Sequence, residues 1–359
     1  MSRNLAEKLA AQIAAGGPLT VAQYMTACLH DPQFGYYATR PALGEGGDFV
    51  TAPLVSQMFG ELVGVWAAVS WELMGRPETV RLVEMGPGDG TLMGDVLRAA
   101  RMAPGFLDAA DVWLVETSEP LKARQRERLG DGPRWAASLA EVPGEAPLIL
   151  FANELLDCLP VRQFVRTATG WAEQVVGLDD QGGSGGRLAF GRVATPAGTL
   201  LPDAREGAVF EQSAAQEALG SEIGARVVRD GGAALLIDYG RARPGFGDTL
   251  QALRRHERVD PLACPGEADL TVHADFPAVM AAAEGEGAQA AILTQAEFLA
   301  RLGIGERAEA LVRARPDKAP VVGRQLNRLV AADQMGELFK ACCLHSPGWT
   351  PPAFEEADA

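Results

Sequence analysis

Apolar positions along this chain recur with two periods, and the change from one to the other marks a central element. Val80-Arg81-Leu82-Val83-Glu84-Met85 is a short run with β-branched residues and predicts a buried strand. It breaks into glycines at alternate positions, Gly86, Gly88 and Gly90. Leu92, Met93, Val96 and Leu97 then return at helical spacing. Strand, glycine turn and helix together open a nucleotide-binding α/β unit. Buried-strand runs recur at 112–116, 147–152 and 232–240, and shorter ones at 289–293 and 338–344.

Helical spacing covers the N-terminus. Residues 4–15 form one predicted helix, stopped by Gly16-Gly17. Thr20 N-caps a second, in which Val21, Tyr24, Met25, Cys28 and Leu29 make one apolar stripe before Pro32. A third runs over 56–74 with Met58, Phe59, Leu62, Val63, Trp66, Val69 and Leu73 inward. Ser118 and Glu119 cap a helix through Leu121 and Leu129. Further helices are predicted over 206–228, 276–283, 295–302, 306–314 and 326–335. Residues 161–193 alternate instead and carry turn glycines, which predicts antiparallel strands inserted in the α/β core. The segments are a helical part and lid (1–77), a first half-core (78–160), a β-hairpin and helical insertion (161–230), a second half-core with a substrate-side insertion (231–346) and a disordered acidic tail (347–359).

The chemistry gathers where predicted strands end. A dinucleotide fingerprint needs a third glycine, and Thr91 stands there. Glu84, two residues before Gly86, would repel a pyrophosphate but suits a cationic ligand. S-adenosylmethionine carries an ammonium and a sulfonium and no phosphate. The competing reading is a tight turn that binds nothing. Glu116 ends the second strand, where a carboxylate can accept both ribose hydroxyls. Asn153, Glu154 and Asp157 follow the strand at 147–152, at the end where open parallel sheets bind ligands; capping and solvating a loop is the alternative role. Asp269, His273 and Asp275 lie in a polar segment beyond Asp238-Tyr239-Gly240. Their spacing is poor for a metal, and no metal is expected. The glycine-rich stretch 44–53 is a candidate lid or a plain connector, and Tyr24, Phe34, Tyr36 and Tyr37 could wall a pocket or simply pack.

Charge and cysteine usage narrow the class. A net charge of −15 argues against a general nucleic-acid binder. Five cysteines without a C-x-x-C pair fit a reducing cytoplasm. The longest apolar stretch, 62–71, is too short to span a bilayer, and no signal or transit pattern is present.

Several segments in this order resemble one family, the MidA-like methyltransferases, over nearly the whole chain. They are Phe34-Gly35-Tyr36-Tyr37, Gly47-Asp48-Phe49 with Thr51-Ala52-Pro53, and Ser56-Gln57-Met58-Phe59-Gly60-Glu61. Glu84-Met85-Gly86-Pro87-Gly88, Ala152-Asn153-Glu154 with Asp157, Ile237-Asp238-Tyr239-Gly240, Asp248-Thr249-Leu250-Gln251 and the segment from Asp269 to Phe276 complete the set. Leu54 departs from the pattern where an acid is usual, and Asp89 where a base is common.

The resemblance implies a class I S-adenosylmethionine-dependent methyltransferase with a Rossmann-like, mostly parallel sheet. It implies methylation of protein arginine, in relatives on a core subunit of respiratory complex I. Mitochondrial members serve there; without a transit segment, a cytoplasmic bacterial-type member is expected here. The expected cofactor residues are Asp48, Thr51, Glu84, Gly86, Gly88, Glu116, Asn153 and Glu154. Glu154 and Asp157 are expected to hold the guanidinium, with His273 and Asp275 behind them as catalytic groups. The expected partners are a protein substrate, no nucleic acid and no stable membrane insertion; a homodimer is compatible. Two rivals are an assembly chaperone without turnover and an NAD-dependent oxidoreductase.

Overall fold

The apolar runs pair side by side in a computed structural model that describes residues 4–39, 51–179, 186–196 and 198–355. The chain divides into two units. The larger takes its described residues from 43–155, 217–242 and 274–359. Its sheet contains β1 (Val80–Met85), β2 (Ala110–Val115), β3 (Arg134–Ala136), β4 (Leu148–Asn153), β5 (Gly232–Arg241), β6 (Gln289–Thr294) and β7 (Phe339–His345). Their spatial order is β6-β7-β5-β4-β1-β2-β3, and the short strand Ala274–Asp275 also pairs with β5. β1 to β5 are parallel, while β7 is antiparallel to both its neighbours. From β1 the order runs outward to β3 on one side and starts again at β4 on the other. The reversal between β1 and β4 is the switch point where such sheets open a crevice.

Parallel strands need cover on both faces, and their residues are apolar in succession for that reason. Leu82, Ile149, Phe151, Leu235, Ile237 and Cys343 share a core with Phe59 and Trp66 of helix α1 (Gln57–Leu73). The intervening Val83, Leu150, Leu236 and Cys342 are equally buried. α1 lies close to α2 (Thr91–Ala100) because two glycines face it. A Cβ on Gly60 would meet the Asp95 Cβ at 2.5 Å, and one on Gly64 the Val96 carbonyl oxygen at 2.8 Å. Glu61 then takes a two-pronged ion pair from Arg307, at 2.7 and 3.0 Å. The Ser56-to-Glu61 signature is therefore a packing device. A further helix, α3 (Glu119–Leu129), follows β2.

The smaller unit takes its described residues from 1–42, 156–216 and 243–273. Helices Leu5–Gly16 and Val21–His30 belong to it, the second opened by a capping box between Thr20 and Gln23. Strands Arg162–Thr167, Gly170–Asp179, Arg187–Ala194 and Val209–Gln212, with Leu19–Thr20, form an antiparallel sheet. Gln251–Arg254 is the middle strand of a second antiparallel sheet, between Glu257–Val259 and Asp269–Thr271.

Several expectations change. The helical N-terminal segment is not one piece: its first helices join the smaller unit and α1 the larger. The helix expected from 206 begins at Ala214, because Val209–Gln212 completes a sheet edge against Arg162–Thr167. The helix expected over 326–335 is Ala319–Val330 followed by a separate turn, Met335–Leu338. The tail is not disordered through 355: Phe354 is buried against Phe298, and Arg301 donates to the carbonyls of Ala353 and Glu355. A short aromatic anchor outweighs a proline-rich, acidic composition. Among the described residues no helix is long and apolar enough to cross a membrane.

Candidate active site at the ends of β1 and β4

The glycine turn leaves β1 through three residues in the left-handed region, Gly86 at φ +67°, Gly88 at φ +55° and Gly90 at φ +81°. A side chain is strained at any of them. The Gly86 N–H donates to the Val115 carbonyl at 3.2 Å, and the Gly90 N–H to that of Pro87 at 2.8 Å. Asp89 holds the start of α2: its Oδ1 accepts the Thr91 N–H at 3.0 Å and the Thr91 hydroxyl at 2.6 Å. Its other oxygen pairs with Arg128 at 2.8 Å. The acid at this unusual place is thus neutralised by a base of the same chain.

β4 is followed at once by a strained residue. Glu154 is not glycine, yet sits at φ +52°. Its N–H donates to the Ile237 carbonyl at 2.8 Å. Its Oε1 accepts the Ala52 N–H at 3.2 Å and the Asn153 Nδ2–H at 3.0 Å. Asn153 and Glu154 thereby tie the segment 51–55 to the sheet.

Thr51, Glu84, Gly86, Gly88, Asn153 and Glu154 line one cavity with an empty volume of about 450 Å³, part of it open to solvent. Six residues chosen from three distant stretches of sequence meet there. Leu54 and Asp89, the two departures from the family pattern, line it too. Glu84 is 3% exposed. Burial pushes its carboxyl up to about 8, against the Met93 N–H and helped by Asp89. Among the described residues, Glu84 Oε2 and Asn153 Oδ1 are buried without a hydrogen-bond partner. Two orphaned acceptors in one cavity call for a ligand rich in N–H donors. The ammonium of S-adenosylmethionine suits that pair of acceptors; a pyrophosphate, itself an acceptor, does not.

Other expected residues fall elsewhere. Glu116 follows β2 but is not in the cavity wall. Its Oε1 accepts the N–H groups of Thr117 and Ser118 at 2.8 and 2.7 Å. Burial raises its carboxyl, and these bonds oppose the rise. Ser118 makes no side-chain cap on α3 for its own part. Asp275 serves the larger unit as a helix cap, accepting the Ala278 N–H at 3.4 Å, with Arg241 at 3.7 Å. Asp157 and His273 belong to the smaller unit. The Asp157 carbonyl accepts the Val272 N–H at 2.9 Å, and the His273 N–H donates to Thr249 Oγ1 at 2.9 Å. Those contacts bring the two chain segments together. Asp269, in the same unit, accepts the Tyr37 hydroxyl at 3.2 Å. Asp48 and the Gly47-Asp48-Phe49 part of the candidate lid lie outside the described residues.

Sequence reading missed two polar groups. Gln125, in mid-helix, has no exposed surface and bonds to Gly88. Gln163, also fully buried, donates to Glu211 and Asp248, both at 2.9 Å. The signal available was a polar residue at an inward helix or strand position, which helical or alternating periodicity alone scores as noise.

A parallel sheet reversing at β1/β4, with a glycine turn and an orphaned acid beside it, defines a nucleoside-binding α/β protein of the S-adenosylmethionine type. The comparison with known proteins agrees. Residues 62–294 match the family model described as "Putative S-adenosyl-L-methionine-dependent methyltransferase", and the chain belongs to that family. It is 33% identical over 371 residues to the protein arginine methyltransferase NDUFAF7, mitochondrial, of Danio rerio, covering 95% of this chain and 86% of that one. The Homo sapiens protein of the same name is 35% identical over 359 residues, covering 91% and 80%. A crystal structure from Burkholderia thailandensis, bound to S-adenosyl-homocysteine, superposes with a TM-score of 0.83 at 30% identity, covering 99% of this chain and 95% of that one. This chain is an S-adenosylmethionine-dependent methyltransferase. That membership sets aside the nicotinamide alternative.

Proposed function

We propose that this chain methylates an arginine side chain of a protein client, a respiratory complex I subunit or a related protein, in the cytoplasm. The relatives named as protein arginine methyltransferases support the acceptor. Five thiols without a disulfide support a reducing compartment. The observation that carries the cofactor part of the reading is the pair of buried, unpartnered acceptors, Glu84 Oε2 and Asn153 Oδ1, in one cavity at the switch point.

When bound, the cofactor supplies a methyl group on a sulfonium leaving centre. The chain's own residues bind and align. Glu84 and Asn153 receive the ammonium, Gly86 and Gly88 admit the backbone close to the ligand, and Glu116 accepts the ribose hydroxyls. Thr51 closes the wall. An arginine guanidinium stays protonated near neutral pH, so it needs carboxylates to hold one nitrogen toward the methyl carbon. Glu154, in the cavity wall, takes that part.

The test is mass spectrometry of complex I subunits incubated with this protein and isotopically labelled S-adenosylmethionine. Label on arginine is expected. Label confined to another residue type overturns the acceptor, and binding of the cofactor without any transfer favours a chaperone.

A further inference from the structure

Gln125 lies in the middle of α3 with no exposed surface, and its amide is engaged at both ends. The Trp135 Nε1–H donates to Gln125 Oε1 at 2.8 Å, which fixes Nε2 as the donating end. Nε2 donates to the Gly88 carbonyl at 2.8 Å and to Glu116 Oε2 at 3.3 Å. One amide therefore spans the turn after β1 and the acid after β2. One helical turn further on, Arg128 Nε donates to the Asp89 carbonyl at 3.1 Å. Two successive carbonyls of the turn are thus drawn toward α3. Because the peptide is planar and trans, the Asp89 N–H points the opposite way from the Gly88 carbonyl.

The chemistry calls for glutamine in particular. Leucine would fill the space and orphan the Trp135 N–H and the Gly88 carbonyl. Glutamate would put a carboxylate against that carbonyl and against Glu116. Lysine could not accept from Trp135.

We propose that Gln125 is a positioning residue for the cofactor's ribose: it aims the Glu116 carboxylate and sets the glycine turn with the same amide. The inference rests on the reading of Glu116 as the ribose acceptor. Gln125 does not touch the ligand. It acts by fixing the distance between the two groups that do.

The experiment compares S-adenosylhomocysteine with its 2′-deoxy counterpart by calorimetry, on the full chain. Wild type is expected to prefer the ribose form by about tenfold or more, the worth of a charge-assisted hydrogen bond. Gln125→Leu should bring that preference close to unity. Gln125→Glu, nearly isosteric, should lose it in mildly alkaline buffer and recover part of it in mildly acidic buffer, as a protonated carboxyl regains an O–H donor. If Gln125→Leu fails to fold, the glutamate variant decides. A wild-type preference retained in the variants, with both ligands weakened equally, leaves Gln125 a merely structural residue and overturns the inference alone. A wild type that binds both ligands equally overturns the reading of Glu116, and the inference with it.

Discussion

The carboxylate of Glu154 accepts the backbone N–H of Ala52, 102 residues earlier, at 3.2 Å. Glu154 holds this contact from a left-handed backbone conformation at φ +52°. Such strain costs on the order of 1–3 kcal/mol and persists only where the surroundings enforce it. Here the Ile237 carbonyl grips the Glu154 N–H at 2.8 Å. The structural contact of this acid can be separated from its proposed part in the chemistry. Glu154→Gln keeps an acceptor oxygen for Ala52 and should keep cofactor affinity, while methyl transfer falls by about 10²-fold or more. Glu154→Ala should weaken cofactor binding as well. Calorimetry with S-adenosylhomocysteine beside single-turnover kinetics measures both; wild-type turnover in the glutamine variant would remove the carboxylate from the chemistry.

As the proposed acceptor of the cofactor's ammonium, Glu84 should make cofactor binding sensitive to pH. Its carboxyl is raised from 4.5 to about 8 in the folded chain, chiefly by burial. Between those values the folded state keeps a proton that the unfolded state has released. Stability without cofactor should therefore be full below about 4.5 and decline as pH rises through about 8, as far as this group governs it. A cationic ligand needs the ionised form, so affinity should climb over the same interval with release of a proton. Titrations in buffers of different ionisation heat read that proton directly. Glu84→Gln should bind more weakly above pH 8 and release none.

Gly88 permits the turn at φ +55°. Gly88→Val should cost roughly 1–2 kcal/mol in stability and abolish S-adenosylhomocysteine binding in calorimetry. A folded variant with unchanged affinity would move the ligand away from this turn.

Gly64 brings α1 onto α2, where an added Cβ would lie 2.8 Å from the Val96 carbonyl oxygen. Gly64→Val should lower the unfolding free energy by about 1–3 kcal/mol, read as a drop in thermal midpoint. The acceptor residues are untouched, so a variant that still folds should retain measurable cofactor binding.

Phe354 is 9% exposed and packs on Phe298 with ring centroids 5.8 Å apart. Phe354→Ala should destabilise by about 3 kcal/mol. A thermal midpoint equal to wild type would show the last residues to be a passive extension.

Much of this arrangement is legible in the linear chain. The strand-turn-helix at Val80 to Leu97 follows from a change of period that only one backbone path satisfies. The acids at the strand ends follow from the rule that open parallel sheets bind at those ends. Glu84, Gly86, Gly88, Asn153 and Glu154 are readable as candidates, because turn glycines and polar residues at the ends of apolar runs are local signals; Thr51 enters only through the family resemblance.

What only the tertiary structure decided is which of those candidates share a wall. Asp275 is as much a candidate as Glu84, yet it caps a helix, while Glu116 stands outside that wall with its carboxylate held by Thr117, Ser118 and Gln125. Val209–Gln212 becomes a strand because Arg162–Thr167 offers an edge, and Phe354 is ordered because Phe298 offers a surface. Gln125 gains its partners from three separate segments. Periodicity along a chain records which face of an element is buried. It does not record what the buried polar atom meets, since that partner is chosen by contacts distant in sequence.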